Sequence, residues 1–220
     1  MTDADPTPAS ASDAAASFDP PAWRSPLAWS VLLGTFAIGV VIDIATKYWA
    51  FRTVAGRPVD LVYEEVVGNV GYPLPRHEGV RALPFDLLDF HLVLNHGAVF
   101  GIGQRRRMVF VLFTLIAVGV ALAVFTRWTR ASQRWVHVGL GLILAGGIGN
   151  LYDRIRYGAV RDFLHMLPRW ELPFGWRWPG NSSGEVFPWV FNVADVLLLA
   201  GMGILLIWMN RTDRKDAKAG

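Results

Sequence analysis

The 220-residue chain contains no cysteine. That absence excludes a disulfide framework, a thiolate-bound zinc or iron–sulfur centre, and a cysteine nucleophile. No HExxH segment is present, and His96, His137 and His165 stand as single histidines without metal-ligand spacing. No metal site is therefore expected. Neither sign of charge dominates: 21 Lys and Arg against 18 Asp and Glu leave +3, too small an excess for a nucleic-acid partner. Internal repeats and heptads are lacking as well.

Charge itself is scarce, at 18% of residues, whereas 53% are hydrophobic and there are 10 Trp and 13 Phe. A disordered chain has the opposite balance. The apolar residues are gathered into long runs. Ser25–Ile42 is 18 residues without a charge, Met108–Thr126 is 19, Trp135–Tyr152 is 18, and Val196–Asn210 is 15. A bilayer core needs about 20 mainly apolar helical residues. Four transmembrane helices are expected, near Pro26–Phe51, Met108–Phe125, Trp135–Asp153 and Phe191–Trp208. A soluble bundle would carry amphipathic helices, and these are apolar on all faces. The fold class is thus an all-α membrane protein.

The first 22 residues hold four Asp and no base, in an Ala, Ser, Pro and Thr background. Such a segment cannot build a core, and it lacks the basic n-region of a signal peptide. Lys and Arg at helix ends set orientation. Arg24, Arg127, Arg130, Arg134, Arg211, Arg214, Lys215 and Lys218 fall on one side, which makes that side cytoplasmic, although Arg105–Arg107 runs against the count. The expected division is an unstructured cytoplasmic tail over 1–24, a membrane domain over 25–210 with extracytoplasmic loops 52–107 and 154–190, and a basic cytoplasmic tail over 211–220. In the first loop Asp89–Asn95 alternates Phe90, Leu92 and Leu94, the period of a half-buried strand, and Leu61–Val67 is a weaker strand candidate. Pro73, Pro75 and Gly79 mark turns between them. A small sheet on the membrane surface follows, beside a Trp-, Pro- and Gly-rich stretch over 167–188.

A charge in a membrane helix costs several kcal/mol, so each one asks for a reason. Asp43, Thr46 and Lys47 share a helix face, and Asp43 and Lys47 can pair across one turn. Asn150, Asp153 and Arg154 repeat the spacing at the end of the third helix, and Asn192 and Asp195 lie three apart at the start of the fourth. Asn95-His96-Gly97-Ala98 precedes the second helix. Following the chain direction, all four groups fall on one side of the membrane, which suggests a shared polar site. Taken singly they have plainer readings: an intrahelical pair at Asp43–Lys47, a snorkelling pair at Asp153–Arg154 and a turn at Asn95-His96-Gly97. Asp162 and Asp195 differ, because Asp195 has no Lys or Arg at i±3 or i±4. Two carboxylates brought together share a proton, so that one can polarise a carbonyl while the other deprotonates water. Spacing alone serves a protease and an ion or proton site equally well. A small proton- or ion-coupled transporter is the alternative reading.

At these residues the chain resembles the prolipoprotein signal peptidases of type II. The resemblance is carried by Asp43-Ile44-Ala45-Thr46-Lys47, Asn95-His96-Gly97-Ala98-Val99-Phe100-Gly101, Gly146-Gly147-Ile148-Gly149-Asn150-Leu151-Tyr152-Asp153-Arg154, Gly158-Ala159-Val160-Arg161-Asp162-Phe163 and Phe191-Asn192-Val193-Ala194-Asp195. It implies a membrane-embedded aspartic endopeptidase of the bacterial inner membrane, with four helices and a small extracytoplasmic β-sheet cradle. Such an enzyme cuts lipid-modified prolipoproteins N-terminal to the diacylglyceryl cysteine, among membrane lipids and without a cofactor. By position Asp162 and Asp195 match the catalytic pair, and Asn150 and Arg154 match substrate-holding residues. Asn95, Gly97, Asn192, Ala194, Asp43, Lys47 and Asp153 match supporting positions. Val99 stands where the family usually carries a smaller Ala, and the 33-position interval from Asp162 to Asp195 is longer than usual.

Overall fold

The computed structural model of the chain describes residues 19–69, 71–97 and 107–219, with side chains described in all of these but 107 and 212–219. Its elements are α1 (Pro26–Thr53), α2 (Tyr63–Gly68), β1 (Val80–Leu83), β2 (Leu88–Asn95), α3 (Arg107–Trp128), α4 (Arg134–Arg156), β3 (Val160–Met166), β4 (Val190–Phe191) and α5 (Val193–Ala219). Four helices, α1, α3, α4 and α5, are long and apolar enough to cross a membrane. Their burial differs in a way that fixes the layout. In α4 61% of the span is buried inside the protein, against 22%, 17% and 11% for α1, α3 and α5. α4 is therefore the central helix, and the other three turn Leu, Ile, Val and Phe side chains outward, as a lipid solvent requires.

Local sequence explains where these helices begin and how closely they pack. α1 starts at Ser25, whose hydroxyl accepts from Ala28 N at 3.2 Å, with Pro26 in the first turn. α5 starts at a reciprocal cap. The Asn192 side chain accepts from Asp195 N at 3.2 Å, and the Asp195 carboxylate accepts from Asn192 N at 3.1 Å. α4 meets α5 and α1 through small residues. A Cβ on Gly146 would collide with the Ala194 carbonyl, and one on Gly149 with the Asp43 carboxylate. Helices approach this closely in membranes where side chains are absent.

At one end of the bundle Ala28, Leu32, Phe125, Val136, Leu140 and Leu144 form an apolar core. At the other, Ala50, Phe51 and Val54 of α1 pack on Leu92 and Phe163 of a four-stranded antiparallel sheet ordered β1-β2-β3-β4. In the β2–β3 register Val93 faces Asp162, Leu94 faces Arg161 and Asn95 faces Val160. Strand alternation then puts Asn95 and Asp162 on one face and Arg161 on the other.

The structure corrects several expectations. Leu61–Val67 is not a strand: Tyr63–Gly68 is a short helix with Glu64 and Glu65 in its first turn, where the helix dipole favours acid. The helices run past their expected ends, α1 to Thr53, α3 to Trp128, α4 to Arg156 and α5 to Ala219, so residues 211–219 continue a helix. Residues 19–24 are ordered against the bundle: Ala22–Arg24 forms a 3-10 turn in which Ala22 is fully buried while Trp23 and Arg24 stay exposed, and Asp19 accepts from Ser132 N at 3.1 Å. The remainder of the expected tail, 1–18, and residues 98–106 lie outside the described residues.

Candidate active site

The polar residues scattered through the sequence meet where α4 ends, α5 begins and the sheet docks. Asp162 projects from β3 and is buried. One of its oxygens accepts from Asn95 Nδ2 at 3.0 Å, and the other accepts from Asn192 Nδ2. Asp195, on the first turn of α5, accepts from Asn150 Nδ2 at 2.9 Å and from Asn192 N. Asn192 ties the two sides together, since its amide also donates to Asn150 Oδ1 at 3.1 Å. Burial, and then the Asp195 charge, push the Asp162 carboxyl up to about 7 against the opposing pull of the Asn192 and Asn95 donors and of Lys47. Two carboxylates close enough to do this do not both ionise cheaply, so the pair retains a proton near neutral pH.

Behind the pair lies a fully buried ionic layer. Lys47 Nζ donates to Asp43 at 2.9 Å and to Asn150 Oδ1 at 2.9 Å, and sits 3.4 Å from Asp153. Asp43 also accepts from Ala194 N at 2.9 Å, which fixes the first turn of α5 against α1. The expected Asp43–Lys47 pair is present, but Lys47 reaches beyond it to orient the amide that faces Asp195.

Asp153 and Arg154 do not form a pair. Successive helical residues point about 100° apart, so the two serve different neighbours. Asp153 turns inward to Arg161 and Lys47. Arg154 turns toward the opening, where it donates to the Gly97 carbonyl at 3.0 Å and to the Asn150 carbonyl at 3.3 Å, with its guanidinium 5.0 Å from the Phe110 ring. Gly97 N in turn donates to Asn95 Oδ1 at 3.0 Å. Gly97 is the last described residue of its motif, and 98–101 lie beyond it.

The pair opens onto a crevice of about 690 Å³ between α3, α4 and α5. Its polar floor is Asn95, Asn150, Arg154, Asp162 and Asp195, and its walls include Phe110, Phe113, Phe187, Trp189, Leu198 and Leu199. Within the aromatic wall the rings of Phe187 and Trp189 lie 5.4 Å apart between centroids, and Trp178, 5.3 Å from Trp189, extends the cluster. These wall residues, and Arg161, were not among the expected site residues. The Trp-rich composition of 167–188 hinted at the wall, and Arg161 appeared only as the neighbour of Asp162 in the motif over 158–163, with no role attached.

Residues 35–211 match the family described as Signal peptidase (SPase) II. The lipoprotein signal peptidase of Rhodopseudomonas palustris is 33% identical over 187 residues, covering 83% of this chain and 92% of that protein. That of Geobacter metallireducens is 31% identical over 185 residues, covering 83% and 91%. A solved structure described as a bacterial membrane enzyme aligns with a TM-score of 0.58 at 22% identity, over 82% of this chain and 87% of that one, and shares the fold.

Proposed function

The chain belongs to the signal peptidase II family, and on that premise we propose that Asp162 and Asp195 are its catalytic pair. The protein is a membrane aspartic peptidase that processes prolipoproteins. The observation that carries the assignment is the buried Asp162, raised to about 7 beside Asp195 at the floor of an apolar crevice.

Asp162 holds the shared proton and Asp195 acts as base. Asp195 takes a proton from water as the water oxygen attacks the scissile carbonyl carbon, and the Asp162 proton passes to the carbonyl oxygen. The tetrahedral intermediate then collapses. The C–N bond breaks, the proton on Asp195 goes to the leaving nitrogen, and the proton borrowed by the carbonyl oxygen returns to the pair. The products are the carboxylic acid of the signal peptide and the free amine of the lipidated cysteine. Asn192 and Asn95 hold Asp162 in place, Asn150 holds Asp195, and Arg154 holds the Gly97 backbone at the mouth of the crevice. The apolar walls suit a diacylglyceryl-modified precursor that lies partly in the bilayer.

Arg24, Arg127, Arg130, Arg134 and Arg211 lie at the opposite helix ends from the pair, which supports cytoplasmic termini and an extracytoplasmic site. An ion-coupled transporter fits less well. Asp43 is closed off by Lys47 and Ala194, and the far end of the bundle is filled by Phe125, Leu140 and Leu144.

Cleavage of a diacylglyceryl-modified precursor by the reconstituted protein tests the assignment. Asp162→Asn and Asp195→Asn should each reduce kcat by roughly 10²–10⁴-fold. Wild-type rates from either would overturn it.

A further inference from the structure

Arg161 lies on the face of β3 opposite Asp162 and is 3% exposed. Its Nε and Nη2 donate to one oxygen of Asp153 at 3.1 and 2.8 Å, and its backbone N donates to the other at 3.0 Å. The guanidinium sits 4.4 Å from the Tyr157 ring and 5.9 Å from that of Phe51. Two guanidinium donors on one carboxylate oxygen and two flanking aromatic rings fix one arrangement of the cation, while the backbone donor locks the other oxygen of the same carboxylate.

The consequence reaches the catalytic pair through Lys47. Two carboxylates, Asp43 and Asp153, are buried with two cations, Lys47 and Arg161, so the layer is neutral. Lys47 divides its bonds unequally, with 2.9 Å contacts to Asp43 and Asn150 and a longer 3.4 Å contact to Asp153. That inequality depends on Arg161 satisfying Asp153. Without Arg161, Lys47 is the one remaining ion-pair partner of Asp153 among the described residues, closer than the more distant Arg154, and the carboxylate draws it off Asn150 Oδ1. The Asn150 Oδ1 then keeps the Asn192 amide but loses one of the two donors that aim Asn150 Nδ2 at Asp195. Lys47, together with Arg154, is a cation that opposes proton retention at Asp162, so its displacement strengthens the hold on that proton.

We propose that Arg161 is a positioning residue for hydrolysis: by engaging Asp153 it keeps Lys47 on Asn150 and so sets the geometry of the catalytic pair. This rests on the assignment of Asp162 and Asp195. The charged and titratable groups facing this layer are Asp43 and Lys47 from α1, Asp153 and Arg154 from α4, Tyr157 from the turn after it, Asp162 from β3 and Asp195 from α5.

The test is a pH–rate profile of the full chain in detergent, on a diacylglyceryl-modified precursor, from pH 5 to 9. Arg161→Leu is expected to lower kcat about 10- to 100-fold with KM little changed. It should also move the pH at which activity falls upward by about 0.5–1 unit, the effect of a partly withdrawn positive charge. Arg161→Lys keeps the charge and should keep the midpoint. Arg161→Leu with Asp153→Asn removes the competing carboxylate and should return the midpoint to the wild-type value with part of kcat. If Arg161→Leu does not accumulate, Arg161→Gln, also uncharged, should show the same shift. A fall in kcat with an unmoved midpoint, or a double variant no better than the single one, would overturn the proposal. Activity surviving in Asp162→Asn and Asp195→Asn would instead overturn the assignment on which it rests.

Discussion

Replacing Lys47 with Met removes one ammonium and keeps most of the side-chain volume. Lys47 is fully buried, and its three contacts are to Asp43, Asn150 and Asp153. After the change Asp153 keeps Arg161, whereas Asp43 keeps only the Ala194 N–H. A buried pair broken from one side costs about 3–5 kcal/mol, because the remaining charge is uncompensated. That is roughly a 10²- to 10⁴-fold loss in the ratio of folded to unfolded protein. Adding Asp43→Asn removes the orphaned charge while leaving an acceptor for Ala194 N, so the double variant should recover about half of the loss. The assay is an SDS titration of purified protein in micelles followed by tryptophan fluorescence. A loss below about 1 kcal/mol for Lys47→Met, or a double variant less stable than the single, would refute the buried-charge argument.

Cleavage should decline as pH rises through about 7, where Asp162 gives up the proton held by burial and by Asp195; a rate–pH curve still rising at pH 9 would contradict this. Because the folded-state value lies above the ordinary 3.8, the same ionisation destabilises the folded protein as pH rises from about 4 to 7, and SDS titrations at both ends of that window should show it. Gly149→Ala would drive a methyl group into the Asp43 carboxylate, and overpacking of this kind costs about 1–3 kcal/mol; an unchanged SDS midpoint would contradict the close α1–α4 approach. Trp189→Ala removes part of the crevice wall without touching the carboxylates. It should raise KM for a lipidated precursor by about 5- to 30-fold and leave kcat within about threefold.

The spanning helices were legible because lipid demands apolar residues on every exposed face, and charge-free runs record that demand directly. The run lengths understate the helices, since Arg52, Arg127, Arg154 and Arg156 extend them into the interface, where cations are tolerated. β2 was legible from alternation. β3 was not, because Val160, Arg161, Asp162 and Phe163 are all buried and the polar–apolar period disappears. Leu61–Val67 shows the converse error, where β-branched residues outweighed the acidic start of a helix. At the site, Asp162 and Asp195 stood out as charges without a helical partner. Their mutual approach was not in the spacing, because it depends on a sheet register that places Asp162 opposite Val93. The destinations of Asp153 and Arg154 were misread for a related reason: adjacent opposite charges suggest a pair, while helix geometry sends them to Arg161 and to Gly97.

The central claim is that Asp162 and Asp195 act as one unit. It is tested most directly by comparing kcat of Asp162→Asn, Asp195→Asn and the double variant on one diacylglyceryl-modified precursor in proteoliposomes. Residues that share one proton and one reaction are strongly non-additive, so the double variant should be no slower than the slower single variant, within about threefold. A double variant whose loss is the product of the two single losses would show independent roles and contradict the account.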